Sequence, residues 1–277
     1  MNAGLHELSL VFFTVLAQTA VGFWLIFTFV MCKGTSRKSQ SYLHKGLFVA
    51  LLLLACGFIA SVTHLGSPLR AFNSLNRVGS SMMSNEIASG AVFFALAGGY
   101  WLLSVLGKMP QGLSKVWLVV TALVGVVFMY MMNNLYHLPT VPTWNNAITS
   151  WQFYLTVVLG GCALAVAVLN TNPHQDYQVK CSPWLYVLAV FCVEVVVIYQ
   201  AFGLAHIHSS VQQAVNLVPD FAIMQVLRLC LLAVAAALIV KGKTLPLLSL
   251  AVLITLAAEM VGRVLFYGLH MTSGMAV

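Results

Sequence analysis

The chain has 277 residues, of which 61% are hydrophobic and only 7% are charged, and its formal net charge is +7. Soluble domains carry about 25% charged residues, so this composition excludes a domain that covers its surface with polar groups in water. The apolar runs are long and continuous rather than alternating, which predicts membrane-spanning helices and excludes a β-barrel.

Eight apolar runs are long enough to cross a hydrocarbon core of about 30 Å. Their connections are short, so we expect an all-α polytopic membrane protein that forms a single integral membrane domain over residues 1–277. The predicted spans are 9–32, 46–64, 84–106, 116–137, 151–170, 184–204, 222–240 and 246–269.

The basic residues predict the orientation of this bundle. Nine of the thirteen Lys and Arg residues fall in connections on one side: Lys33, Arg37, Lys38, Lys45, Lys108, Lys115, Lys180, Lys241 and Lys243. Short basic connections face the cytoplasm, so both termini are expected outside, in the inner (cytoplasmic) membrane of a bacterium. The positive charge is spread over several loops of one face, so nucleic acid is not an expected partner.

Two titratable residues flank the first connection on the outer side. His64 ends the second predicted span and Glu86 begins the third, so they lie at similar depth on neighbouring helix ends. Quinol oxidation releases two protons, and a His with a carboxylate in a mostly apolar cleft provides acceptors for them. The alternatives are an interfacial histidine for His64 and, for Glu86, a first-turn acid that complements the helix dipole behind a Ser84 N-cap.

Further residues on the outer side are candidates for the quinol pocket or for partner docking. Arg70, Asn73 and Arg77 lie in the connection between His64 and Glu86. Tyr267 and His270 are three residues apart at the outer end of the last span, although an interfacial anchor also explains Tyr267.

The other outer connections carry weaker signals. Tyr136, Trp144 and Trp151 are typical of an aromatic belt at the membrane interface. His206 and His208 are two residues apart, but nearby Cys or His residues at ligand spacing are lacking, so no metal site is predicted.

The positions of the histidines and cysteines argue against resident redox groups. His44 and His174 are placed in inner connections and the other histidines lie near outer ends, so a two-haem stack is not expected. The cysteines lack cluster-binding spacing. We therefore expect no iron–sulfur cluster or molybdenum on this chain, and a single haem at the outer side stays open as an alternative.

Four charged residues fall inside predicted spans: Glu194, Arg228, Glu259 and Arg263. Isolated charges in hydrocarbon are costly, so they should face the bundle interior and form pairs. Glu259 and Arg263 have the i,i+4 spacing of an ion pair on one helix face. A structural network is one interpretation of these four residues, and a proton path or a pocket wall is the other.

Four stretches of the sequence resemble the membrane anchor subunit of the anaerobic dimethyl sulfoxide reductase complex, the DmsC family. They are HLGSPLRAFNSLNRVGSSMMSNEIASG (64–90), TVPTW (140–144), IHSSVQQAVNLVPD (207–220) and GRVLFYGLHMTSGMAV (262–277). Chain length, helix number and the expected outward termini also fit this family.

The resemblance implies an eight-helix anchor without haem that oxidises menaquinol as its substrate. Electrons would then pass to an iron–sulfur subunit and to a molybdopterin catalytic subunit, which reduces dimethyl sulfoxide and related S- and N-oxides. The family's quinol-binding His and Glu match His64 and Glu86. The chain itself would be a non-catalytic subunit of an oxidoreductase heterotrimer.

Two other hypotheses remain. A secondary transporter would explain the charges within the later spans, although transporters usually have broken helices and internal repeats, which are not evident here. A purely structural anchor for a respiratory complex would leave His64 and Glu86 without chemical roles.

Overall fold

Eight long helices make up most of the computed structural model, which describes residues 2–63, 68–177, 182–208 and 212–272. A short helix α1, Asn2–Leu5, precedes them, and two 3₁₀ helices, Pro68–Arg77 and Ala214–Asn216, lie in connections. The long helices are α2 (Leu8–Lys33), α3 (Arg37–Thr63), α4 (Met82–Val105), α5 (Gln111–Leu135), α6 (Ala147–Asn170), α7 (Pro183–Leu204), α8 (Phe221–Lys241) and α9 (Leu245–Gly268).

These helices confirm the predicted all-α membrane fold. Each of the eight is long and apolar enough to cross a membrane. The shortest, α8, has 21 residues, which corresponds to about 30 Å at 1.5 Å per residue. The chain is therefore a multi-pass membrane protein.

Helices α2 and α6 form the centre of the bundle. In the most apolar 18-residue segment of each span, 78% of the residues of α2 and 89% of those of α6 are buried inside the molecule. The corresponding share is 22–39% for the other six spans. Helices α3, α5 and α9 pack on α2, while α7 and α9 pack on α6. The outer helices expose large apolar side chains, such as Phe202 and Ile223, as lipid-facing helices do.

Glycines allow the two central helices to touch through their backbones. A Cβ added to Gly22 of α2 would lie 2.0 Å from the carbonyl oxygen of Val157, and one added to Gly161 of α6 would lie 2.4 Å from the carbonyl carbon of Gly22. Small residues at such crossings let the two backbones come close and form many van der Waals contacts. In lipid these contacts favour helix association, because the hydrophobic effect does not act between helices there.

Helix α3 begins nine residues before the predicted span, and this corrects the placement of His44 in a connection. The hydroxyl of Ser39 in the first turn of α3 donates to the Asp176 carboxylate of the loop that follows α6. Hydrogen bonds from Ser36 and Ser39 hold the pKa of Asp176 below its ordinary value. The hydrogen bond to Asp176 stabilises a first turn of α3 that is too hydrophilic to be predicted as part of a membrane span. Because the helix begins at Arg37, His44 lies two turns inside α3.

The two ends of the bundle differ in charge. We call the end that carries the α2–α3, α4–α5 and α8–α9 connections the basic end, because Lys33, Lys108 and Lys241 lie there. The opposite end carries the first turns of α4, including Glu86, and we call it the Glu86 end.

Replacement of Gly161 by Ala should destabilise the bundle by about 1–3 kcal/mol, because the new methyl group meets the backbone of α2 and the helices must separate. The measurement is the thermal unfolding temperature of the full chain in detergent. Gly98→Ala is the matched control, since a Cβ at Gly98 of α4 meets open space. Equal unfolding temperatures for the two variants would contradict the proposed close contact.

Candidate functional site

A cavity of about 650 Å³ opens at the Glu86 end of the bundle. Apolar side chains such as Leu10, Phe13, Phe58 and Ile87 form most of its wall. Its polar lining consists of His6, Glu7, Ser61, Glu86, Tyr136, Trp144, Tyr267 and His270. A mostly apolar cavity of this size with a few convergent polar groups is typical of a site for a small organic ligand.

Glu86 is buried in the wall of this cavity. Its side chain is 5% exposed, and its Oε1 atom is buried without a hydrogen-bond partner among the described residues. The N-cap position of α4 is held by Ser81 rather than Ser84, so Glu86 lies beyond the first turn and does not act as an exposed acid at the helix dipole. A buried carboxyl oxygen without a partner is costly, so Glu86 is a polar group of this cavity that can still accept a hydrogen bond.

Aromatic side chains line the same cavity as Glu86 and form its aromatic wall. The hydroxyls of Tyr136 and Tyr267 are hydrogen-bonded to each other at 2.6 Å. Trp144 donates from Nε1 to the carbonyl oxygen of Phe266 at 2.9 Å and stacks on that ring with centroids 5.1 Å apart. The His270 ring lies 4.7 Å from the Trp144 ring. These contacts fix flat surfaces that suit a planar ligand.

The prediction of an interfacial aromatic belt is wrong for two of the three residues assigned to it. Tyr136 and Trp144 are buried, at 6% and 9% exposure, whereas Trp151 is 59% exposed. Burial places the polar atoms of Tyr136 and Trp144 in hydrogen bonds within the protein, so these two residues form the cavity instead of anchoring the bundle at the interface.

The structure brings together three of the predicted pocket residues: Glu86, Tyr267 and His270. Asn73 and Arg77 are exposed in the 3₁₀ helix Pro68–Arg77 and are not among the described residues that line the cavity. His64 and the side chain of Arg70 lie outside the described part of the chain, so the pairing of His64 with Glu86 stays a prediction.

Two lining residues, His6 and Glu7, were not predicted from the sequence. They follow α1, which packs so closely on α9 that a Cβ at Gly4 would lie 2.0 Å from the carbonyl oxygen of Val264. His6 and Glu7 connect this packed helix to α2. The sequence feature that could have indicated these two residues is their position, as a polar His-Glu pair directly before the first span and at the same end of the bundle as Glu86.

Inside the bundle, Glu259 forms its ion pair with Arg228 and not with Arg263. Arg228 Nη2 lies 2.9 Å from Glu259 Oε1, and both side chains are buried. Thr156 donates to Glu259 Oε2 at 2.5 Å. The prediction of an i,i+4 pair between Glu259 and Arg263 is therefore wrong, because α8 brings a nearer cation to Glu259.

Arg263 is held by neutral groups. Its Nη2 atom donates to Gln18 Oε1 at 2.8 Å, and its guanidinium lies 3.7 Å from the centroid of the Phe153 ring. A weaker bond from Nη2 to Thr156 Oγ1, at 3.4 Å, connects Arg263 to the Arg228–Glu259 pair. The expected interior network therefore exists, with Gln18 and Thr156 as additional members.

Glu194 does not belong to this network. It is half-buried on α7, and among the described residues it has neither a hydrogen bond nor an ion pair. Helix α7 packs on the outside of the bundle, so its middle turns do not reach the interior charges. The inclusion of Glu194 in the predicted network is wrong.

The described residues contain no group of three or more His, Cys, Asp and Glu side chains that could hold a metal ion. His206 instead uses its Nδ1 atom in a contact of 2.9 Å with the carbonyl oxygen of Phe202. The polar side chains that line the cavity provide hydrogen-bond donors and acceptors, and its aromatic rings provide surfaces for stacking.

The fold defines a polytopic helical membrane protein with a mostly apolar cavity at the Glu86 end of the bundle. The chain belongs to the DMSO reductase anchor subunit (DmsC) family, whose model matches residues 1–269. Membership in an anchor family implies catalytic partner subunits.

Three relatives match along their whole length. The chain is 60% identical over 277 residues to the C subunit of the anaerobic dimethyl sulfoxide reductase of Haemophilus influenzae, covering 100% of this chain and 99% of the relative. It is 45% identical over 290 residues to the anaerobic dimethyl sulfoxide reductase subunit YnfH of Escherichia coli, and 45% identical over 285 residues to the C subunit of the reductase from the same organism. Both of these alignments cover 100% of this chain and 99% of the relative.

Replacement of Glu259 by Gln should lower the stability of the chain by about 3–5 kcal/mol, because Arg228 would remain buried without a counter-charge. Thermal unfolding of the full chain in detergent measures this loss. The control is Glu194→Gln, which removes a half-buried carboxyl without a partner among the described residues. If Glu259→Gln were no less stable than Glu194→Gln, the ion pair would not support the interior.

Proposed function

We propose that this chain is the quinol-oxidising membrane anchor of a respiratory reductase for dimethyl sulfoxide and related S- and N-oxides. The observation that carries the proposal is the buried Glu86 carboxyl, which has one oxygen without a partner among the described residues and faces an apolar cavity of about 650 Å³. The names of the three relatives support the reductase assignment.

Glu86 would accept a hydrogen bond from one ring hydroxyl of the quinol and take its proton. Oxidation of a quinol to a quinone releases two electrons and two protons, so a second acceptor is needed. We assign that role to His64. The ring of Trp144, held in place by its stack on Phe266, would support the planar head group, and apolar residues such as Phe13 and Phe58 would contact its tail.

The two electrons would leave through partner subunits. We propose an iron–sulfur electron-transfer subunit as the acceptor and a molybdopterin subunit as the site of oxide reduction, which together with this chain form a heterotrimer. Menaquinol is the proposed substrate. Arg77 and Asn73, exposed beside the cavity end, are proposed as docking residues rather than as pocket residues.

The orientation that accompanies this proposal has both termini outside and the Glu86 end at the periplasmic face of the bacterial inner membrane. Its support is the distribution of Lys and Arg, which concentrates at the basic end. Protons from the quinol would then be released on the outer side.

Cysteine labelling tests this orientation. Ser80→Cys, at an exposed position of the connection before α4, should react with a membrane-impermeant maleimide in intact spheroplasts. Lys243→Cys should react only after permeabilisation, and each variant is compared with the background from the native cysteines. Reaction of Lys243→Cys in intact spheroplasts would contradict the proposed orientation.

We do not propose a transporter. Each of the eight spans is a continuous helix in the described part of the chain, whereas transporter sites usually use unwound or broken helices near the midplane. The buried Arg228–Glu259 pair is fully compatible with a structural role.

Replacement of Glu86 by Gln should reduce quinol-driven oxide reduction by at least about 100-fold, because the amide cannot take the proton that general-base catalysis requires. The measurement is turnover of the assembled complex with a reduced menaquinol analogue. Activity with a reduced viologen dye, which donates electrons to the partner subunits directly, shows whether the complex has assembled.

Glu194→Gln is the matched control and should leave quinol-driven turnover unchanged. A Glu86→Gln complex that retains both activities would rule out Glu86 as the proton acceptor, and would favour the purely structural anchor. Loss of both activities would mean that the substitution acts on assembly instead of on quinol chemistry.

A further inference from the structure

A second cavity, of about 500 Å³, lies at the basic end of the bundle. It is formed where α2 and α4 end and where α3 and α5 begin. It shares no lining residue with the cavity at the Glu86 end, among the residues that the structure describes. The cavity at the basic end therefore takes no part in the proposed quinol oxidation.

The mouth of this cavity is cationic. Arg37 from the start of α3 and Lys115 from the start of α5 line it, and both side chains are exposed. None of the described lining residues is Asp or Glu. Asp176, which packs against the first turn of α3, already accepts a hydrogen bond from the hydroxyl of Ser39. The cavity therefore attracts anions.

Hydrogen-bond donors lie deeper in the same cavity. The Nε2 atom of His44 is buried and has no partner among the described residues. The His44 ring is edge-on to Tyr100, with centroids 6.2 Å apart, and the Tyr100 hydroxyl is 3.2 Å from the hydroxyl of Ser114. His44 in the tautomer with a proton on Nε2, and the one hydroxyl proton that the Tyr100–Ser114 bond leaves free, provide donors behind the two cations, as a phosphate group requires.

One side of the cavity continues into lipid-facing surface. Val105, which lines it, is 55% exposed, and Leu102, one turn earlier on α4, is 51% exposed. Next to them Phe48 stacks on Trp101 with centroids 5.1 Å apart, while Trp101 donates to the carbonyl oxygen of His44 at 3.0 Å. An occupant with a phosphate group and an apolar tail would match both surfaces at once.

We propose that the cavity at the basic end binds the phosphate headgroup of an anionic phospholipid. Arg37 and Lys115 contact the phosphate oxygens at the mouth, and His44 Nε2 donates to the same group from below. The acyl chains lie along the exposed apolar face of α3 and α4. The lipid connects the ends of these helices, and its binding is independent of the chemistry at Glu86.

Native mass spectrometry of the delipidated complex tests the proposal. Phosphatidylglycerol and phosphatidylcholine with identical acyl chains are titrated separately, and the wild-type complex should prefer phosphatidylglycerol. Arg37→Gln combined with Lys115→Gln should weaken phosphatidylglycerol binding by about tenfold or more, because charge-assisted hydrogen bonds are lost. Both replaced residues are exposed, so the fold should tolerate the change.

The control is Lys45→Gln combined with Lys108→Gln, which removes the same charge from exposed positions outside the cavity. It should retain the preference for phosphatidylglycerol. An equal loss in both double variants would mean that diffuse surface charge attracts the lipid, which overturns the site. Displacement of phosphatidylglycerol by inorganic phosphate at similar concentrations would assign the cavity to a free anion and overturn the lipid proposal, as would a wild-type complex without headgroup preference.

Discussion

The backbone contact between α2 and α6 is the constraint on which the rest of the structure depends. Gly22 and Gly161 let these helices touch where any side chain would collide with backbone atoms. Because the central pair is so close, α9 can pack on both helices at once. That position brings Arg263 against Phe153 of α6 and Gln18 of α2, and it brings Tyr267 to Tyr136 at the cavity. The site is therefore a consequence of the central packing.

The same bundle has different chemistry at its two ends. At the Glu86 end, helices separate around an apolar space that contains a fixed aromatic wall and a carboxyl oxygen without a partner among the described residues. At the basic end, the space between α3, α4 and α5 holds cations and donors. Between these ends, buried polar groups such as Thr156, Arg228 and Glu259 bond to one another, which lowers the cost of charges in hydrocarbon, and Arg228 Nε is left without a partner among the described residues. The two cavities thus lie at opposite ends of the bundle, with ion-paired side chains between them.

Much of the candidate site could be predicted from the residue types alone. A carboxylate at a span boundary is unusual enough to mark Glu86, and a Tyr and a His at the end of the last span mark Tyr267 and His270. The failures share one cause. A sequence contains no distance between helices, so the partner of Glu259, the exclusion of Glu194 and the burial of Trp144 could not be derived from spacing along the chain. His6 and Glu7 were missed because the contact of α1 with α9 is not encoded in hydropathy.

Composition and hydropathy are enough to predict a membrane protein, its number of spans and the difference in charge between the two ends of the bundle. These properties are sums over composition and over runs of about 20 residues, so they need no knowledge of packing. The pairing of the charges, the start of α3 and the set of side chains that share a cavity follow from the packed helices. Those outcomes depend on contacts between residues far apart in the chain, such as Gly22 with Gly161 and Ser39 with Asp176, and such contacts exist only once the helices have packed.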